Sequence, residues 1–359
     1  MTSIRTPAAR AVRSLGVLPM VIALAGCAGA ATTAPSPAPV PSPTPVASTS
    51  APSAEPTATP LPTLRTAYDL PPYGELVKLF DYDTTEPLGY TVTYQERQGD
   101  ATVYDIEYPS GGYSVPAKLV VPDGEGPFPA VLYAAGHTLW PSFFLPEMVA
   151  LAKEGYAGLA IGERAPLDLY STLDTTIDIE GYAHYVVDLR RGIDLLGTLP
   201  KIDATRIGFV GHSLGCAVGS ILSGIETRIA AYALMACGGY VTDPAWSFCG
   251  TDACFSATAE DRSRYQERLA VLNAANYIGR NTAAAFLIQA SKADQIALES
   301  NVVALYDAAP QPKSLKWYER GDSGLYDMGG HSLGCVTFGS CDPALPAFAD
   351  HRAWLKEHV

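Results

Sequence analysis

The sequence predicts an α/β fold, with a mostly parallel central sheet, helices on both faces and antiparallel opening strands. Three observations carry this expectation. Strand-like runs at Phe128–Ala134, Tyr156–Ile161, Arg206–Val210, Ile229–Ala236, Ala283–Gln289 and Ser314–Tyr318 are mostly apolar throughout rather than alternating, as in strands covered on both faces. Helical patterns lie between and after them at Leu145–Glu154, Gly181–Leu199, Ala217–Leu222, Ala297–Tyr306 and Leu345–His358, the alternation that parallel strands require. Ahead of them, Tyr90–Glu96, Ala101–Tyr108 and Ser114–Val121 read as antiparallel strands, the last one stopped by Pro122-Asp123-Gly124.

The amino terminus has another character. Arg5, Arg10 and Arg13 precede an apolar run from Leu15 to Ala25, which is too short for an ordinary membrane span and reads as an export signal. Its end, Leu24-Ala25-Gly26-Cys27, resembles the box of bacterial lipoproteins, which implies that residues 1–27 are a signal peptide and that Cys27 is lipid-modified. The chain is then expected at the outer face of the cell membrane, its lipid anchor making the membrane a partner. The alternative is a secreted protein cut after Ala30 or Ala31. Residues 28–63 hold ten prolines among small residues, a single charge at Glu55 and no aromatic residue. Such a segment cannot bury a core and is expected to be a disordered tether, reaching roughly 100 Å if extended. Residues 64–359 contain no further linker and are expected to form one domain, with a small cap inserted at 238–282.

Charge and cysteines narrow the field. A net charge of −13 excludes nucleic acid as an expected partner. Six histidines are scattered and the cysteine pairs lack metal-ligand spacing, so neither a metal nor any other cofactor is expected. Besides Cys27 there are six cysteines. Cys249 with Cys254, and Cys335 with Cys341, are the simplest local bridges, while Cys216 and Cys237 are expected to be free buried thiols, a mutual bridge being the second choice.

One hexapeptide occurs twice: Gly211-His212-Ser213-Leu214-Gly215-Cys216 and Gly330-His331-Ser332-Leu333-Gly334-Cys335. The first copy follows a strand and precedes a buried helix, the setting in which a glycine-flanked serine is turned outward as a nucleophile. The second is bracketed by neither, and Ser332 has too little chain after it to supply an acid and a base. A serine hydroxyl needs a neighbouring base to become nucleophilic, so the first copy supplies Ser213 and the partners must follow it.

The stretch Asp188-Leu189-Arg190-Arg191-Gly192, then Lys201-Ile202-Asp203-Ala204-Thr205-Arg206-Ile207-Gly208, then the first hexapeptide, resembles the α/β-hydrolase superfamily, in particular its dienelactone-hydrolase and prolyl-oligopeptidase-like branches. The likeness spans most of residues 75–357 and is weakest over 238–282. It implies an α/β-hydrolase fold and a triad in which Asp294, after the strand Phe286–Gln289, orients His331, the general base for Ser213. Asp322 and Asp327 compete for the acid's role. Of the histidines after Asp294, His351 and His358 fall in a polar amphipathic end helix, which leaves His331. The resemblance also implies backbone donors for a developing oxyanion: the amide of Leu214 and that of His137, with Thr138 the alternative to the latter. Ala135 stands where many relatives carry histidine, so the support of that loop is expected to differ. His212 is expected to pack beside the site without moving protons, and Glu163-Arg164 to be structural. Trp246, Phe248, Phe255 and Tyr265 either line a pocket or fill the cap's own core.

These expectations converge on a cell-surface serine hydrolase of small-molecule carboxylic esters. The alternatives are a peptidase of the prolyl-oligopeptidase type, from which the propeller domain is missing, and a non-catalytic lipoprotein that binds a ligand. The pattern leaves the oligomeric state open.

Overall fold

The computed structural model describes residues 68–137, 140–162, 174–239, 256–319, 330–333 and 343–359, all within the unit Pro60–Val359. Among the described residues nine strands form one sheet: β1 (Thr91–Gln98), β2 (Ala101–Ser110), β3 (Tyr113–Pro122), β4 (Phe128–Ala134), β5 (Ala157–Ile161), β6 (Ile202–His212), β7 (Ile229–Met235), β8 (Ala285–Ser291) and β9 (Lys313–Tyr318). Their order across the sheet is β1-β2-β3-β5-β4-β6-β7-β8-β9. β1, β2 and β3 pair antiparallel, as does β3 with β5, and every later pairing is parallel. The burial of the strands follows the sequence pattern except at β9, which lies at a sheet edge and has no fully buried residue. β5 and β8 are buried at every position, whereas β1, at the sheet edge, is exposed along its first five residues.

Strand order reverses at β4. The chain leaves β4 through α2 (Leu145–Ala152) toward β5, then crosses back through α3 (Thr175–Thr198) to β6 on the other side. Because crossovers are right-handed, a reversal of direction puts the two helices on opposite faces. The core divides accordingly. α3 packs with α4 (Leu214–Ile225) and α6 (Glu299–Ala308) on one face, and α2 with α7 (Pro346–His358) on the other. Such a reversal opens a crevice at the carboxyl ends of the neighbouring strands, here β4 and β6.

Besides a short unforeseen helix α1 (Tyr73–Leu76), three features differ most from the sequence expectation. α3 begins six residues early, because Asp174 caps it by accepting a hydrogen bond from the Thr176 amide at 2.9 Å. α5 (Ala259–Leu269) was hidden by its polar composition, yet Thr258 and Asp261 form a reciprocal capping box that starts it. Its buried Tyr265 joins the core of the α3 face and donates to Asp178 at 2.7 Å, so this part of the insertion packs on the main body rather than enclosing a core of its own. Trp246, Phe248 and Phe255 lie outside the described residues. His351, finally, is not on a polar face. It is fully buried, with Nε2 3.0 Å from Glu147, while Arg352 donates to the other oxygen of the same carboxylate at 2.7 Å, tying α7 to α2.

Candidate active site

β6 ends at His212 and α4 starts at Leu214, so Ser213 alone turns the chain, at φ 54° and ψ −116°. A serine rarely adopts that backbone, and it persists only where the surroundings fix it from both sides. Here the Ser213 amide donates to Met235 of β7 at 2.9 Å, and its carbonyl accepts the Ala217 amide of α4 at 3.0 Å. The flanking glycines permit the turn. A Cβ on Gly211 would lie 2.5 Å from the Gly215 oxygen, and one on Gly215 only 2.0 Å from the Ala134 oxygen.

The neighbouring strand β7 supplies a further tie, which corrects the expectation for two cysteines. Cys216, in the first turn of α4, and Cys237, just past β7, are joined in a disulfide with their Cα atoms 5.8 Å apart. They are not free thiols. Parallel pairing of His212 with Met235 brings the two chain segments together, a register that sequence spacing does not reveal. Cys249, Cys254, Cys335 and Cys341 lie outside the described residues.

Asp294 and His331 meet Ser213. The Ser213 hydroxyl lies 2.9 Å from His331 Nε2, and His331 Nδ1 lies 2.8 Å from Asp294 Oδ2. With the proton on Nδ1 the ring donates to the carboxylate and accepts from the hydroxyl, the arrangement that lets it take the serine's proton. The Asp294 side chain is wholly buried and that of His331 one-tenth exposed. The second aspartate oxygen accepts the amides of Ile296 and Ala297 at 2.8 and 2.9 Å. One carboxylate therefore both shapes the turn after β8 and orients the imidazole. Asp322 and Asp327 lie outside the described residues, and Asp294 occupies the position facing Nδ1.

Ser332 sits in a turn between Gly330 and Leu333, closed by a Leu333 amide to Gly330 carbonyl bond of 3.0 Å.

Leu214 is the first residue of α4, where amides have no acceptor within the helix. The end of β4 crosses directly over this helix start, as the contact at Gly215 shows. Ala135 and Gly136 lead from there into a turn at His137, which is half-buried; Thr138, Glu163 and Arg164 lie outside the described residues. The loop's support comes from Tyr185 of α3, which sequence reasoning missed. Its buried hydroxyl lies 3.0 Å from the Ala135 carbonyl and 3.1 Å from that of Ile161, so one phenol pins the carboxyl ends of β4 and β5. Tyrosine on the buried stripe of a helix looks like core packing in sequence, and only the two carbonyls reveal its further duty.

His212 is buried under Phe143, their rings 5.3 Å apart, and burial first, then the neighbouring His331, pushes its pKa down to about 4. Among the described residues no group of three or more His, Cys, Asp or Glu side chains is placed to hold a metal ion, and no helix is long and apolar enough to cross a membrane.

No protein-family model matches the sequence. Solved structures do match the fold. Acetyl xylan esterase 1 from Thermoanaerobacterium sp. JW/SL YS485 superposes with a TM-score of 0.62 at 17% identity, covering 79% of this chain and 92% of that one. An acetyl xylan esterase from Paenibacillus sp. R4 gives 0.59 at 16% identity, covering 80% and 93%. An S-formylglutathione hydrolase from Agrobacterium tumefaciens gives 0.53 at 15%, covering 75% and 99%. The fold is that of the α/β hydrolases. Within an α/β-hydrolase sheet the crevice beside the strand-order reversal is where ligands bind, and Ser213, at the carboxyl end of β6, stands at that crevice.

Proposed function

We propose that this chain is an exported serine hydrolase that cleaves small carboxylic esters through an acyl-enzyme. The single observation that supports it most is the chain of two short bonds from Ser213 through His331 to buried Asp294. In this reading His331 removes the Ser213 proton as Oγ attacks the ester carbonyl, and Asp294 stabilises the imidazolium. The amides of Leu214 and His137 receive the charge that develops on the carbonyl oxygen. His331 then protonates the departing alkoxide, leaving an acyl-serine, and activates the water that releases the acid and regenerates the enzyme. The names of the fold relatives, acetyl xylan esterases and an S-formylglutathione hydrolase, agree with an ester rather than an amide, and acylated carbohydrates belong among the substrates to be tested. Export as a lipoprotein through Cys27, with residues 28–63 as the tether, completes the proposal.

The test compares the purified chain with Ser213→Ala on p-nitrophenyl acetate and on alanyl-proline p-nitroanilide. Ester hydrolysis that disappears in the variant is expected; cleavage of the anilide alone would favour a peptidase, and activity equal in both proteins would end the proposal. Incorporation of labelled palmitate in a bacterial host, lost in Cys27→Ala, checks the anchor. A soluble, unlabelled product would leave a secreted enzyme.

A further inference from the structure

His212 is the second residue of the first hexapeptide and His331 the second residue of the other. The ring Nε2 of His212 lies 2.9 Å from the main-chain oxygen of His331, a buried contact across 119 positions of sequence. Only the tautomer carrying hydrogen on Nε2 can donate to that carbonyl, and Nδ1 has no hydrogen-bond partner among the described residues. A second proton would therefore be stranded beside Phe143, and the ring is neutral at ordinary pH. The charged or titratable groups acting on it are His331, whose ring centroid is 5.5 Å away, and Asp294 behind it.

Neutrality matters at this place. Turnover makes His331 cationic, and a like charge at that separation in a buried site would oppose it. A neutral donor holds the loop without that cost. The turn carrying His331 is also held by the Leu333 to Gly330 bond, the burial of Leu333 and the two bonds of the imidazole itself. The imidazole bonds must rearrange during the reaction, so they cannot also fix the backbone.

We propose that His212 is a positioning residue, whose Nε2–H anchors the main chain of His331 so that the imidazole stays aligned between Ser213 and Asp294 as protons move. The proposal rests on the triad reading and adds a fourth residue to it. The nearest described restraint on the His331 backbone thus comes from the other copy of the hexapeptide.

The test uses the full chain and p-nitrophenyl acetate. His212→Phe keeps a ring and removes the donor; His212→Gln supplies an amide donor near the same place. The Phe variant is expected to lose roughly 10- to 100-fold in kcat with KM within about twofold, since misplacement by an ångström costs about that much. It is also expected to shift the acid limb of the pH–kcat profile, whereas the Gln variant recovers to within about fivefold of the parent. A Phe variant that folds with unchanged kcat and pH profile overturns the inference while leaving the triad intact. If Ser213→Ala is as active as the parent, the triad reading fails and takes this inference with it. Should the Phe variant not fold, 15N NMR of histidine-labelled parent protein decides: a His212 ring, assigned by its loss in His212→Gln, that stays in the neutral Nε2–H form down to about pH 5 supports the inference. A His212 ring that carries its proton on Nδ1, or titrates near the ordinary histidine value, overturns it.

Discussion

Two stretches of this chain begin with the same residues, Gly-His-Ser-Leu, and fold differently. In the first, Gly211–Leu214, the strand β6 runs into the helix α4 and the positive φ falls on Ser213; in the second, Gly330–Leu333, a turn carries positive φ on Gly330, at 100°, and on Leu333, at 49°. The difference is imposed from outside. The first copy is held by β7 through the Ser213 amide and by the disulfide from Cys216, and it faces the end of β4. The second is held by its own short bond and by side chains reaching it from Asp294, Ser213 and His212. Local sequence thus supplied two serines and two histidines, and tertiary context gave one serine a base and one histidine an acid.

Matched substitutions at the two copies sharpen this contrast. The serine pair carries the largest effect: Ser213→Ala is expected to lower kcat/KM for p-nitrophenyl acetate by about 10⁴- to 10⁶-fold, and Ser332→Ala to change it less than about twofold. Equal losses from both would erase the distinction. Next comes the histidine pair, where His331→Gln is expected to cost about 10³- to 10⁴-fold, far more than the same change at His212.

A smaller effect concerns stability. Replacing Cys216 and Cys237 together by alanine removes a cross-link with a sequence separation of 21, expected to cost about 3 kcal/mol in urea unfolding. A variant as stable as the parent would show that the elbow is held by packing alone. His212 adds a pH dependence. Its folded pKa of about 4 lies below the ordinary value of 6.5, so the unfolded chain takes up its proton first. The stability this group leaves intact above about pH 6.5 is lost as pH falls toward 4, by about 2–3 kcal/mol. Unfolding curves of the parent and His212→Gln should accordingly converge or cross as the solution is acidified through that window. Parallel curves would mean that the ring is charged or exposed in the folded state.

The smallest change is expected at Tyr185→Phe, which removes the hydroxyl from the Ala135 and Ile161 carbonyls: a loss of about tenfold in kcat with the fold retained. Unaltered kcat would remove Tyr185 from the account of the loop after β4.

The sheet was legible because strands covered on both faces leave long apolar runs, and because a glycine-flanked serine between such a run and a helix has few structural settings. Asp294 and His331 were placed by their positions after β8 and β9 together with the superfamily resemblance, and the structure brings both to Ser213. What escaped has a common cause. The Cys216–Cys237 bridge, the Tyr185 phenol across two strand ends and the His212 bond to the second copy each join segments that only the tertiary fold brings together. The buried position of His351 escaped for a related reason, since its partner Glu147 is 204 residues away on another helix. The beginning of α5 did leave a trace, Thr258 followed by Asp261 three positions on, which the polarity of the segment outweighed.

The most direct test is chemical. The full chain is treated with a fluorophosphonate, digested, and both hexapeptide-bearing fragments are examined by mass spectrometry. A phosphonyl adduct on Ser213 and none on Ser332, abolished by His331→Gln, is the predicted result. An adduct on Ser332, or reaction at Ser213 that is indifferent to His331, would contradict the claim that the two copies cooperate to activate one serine.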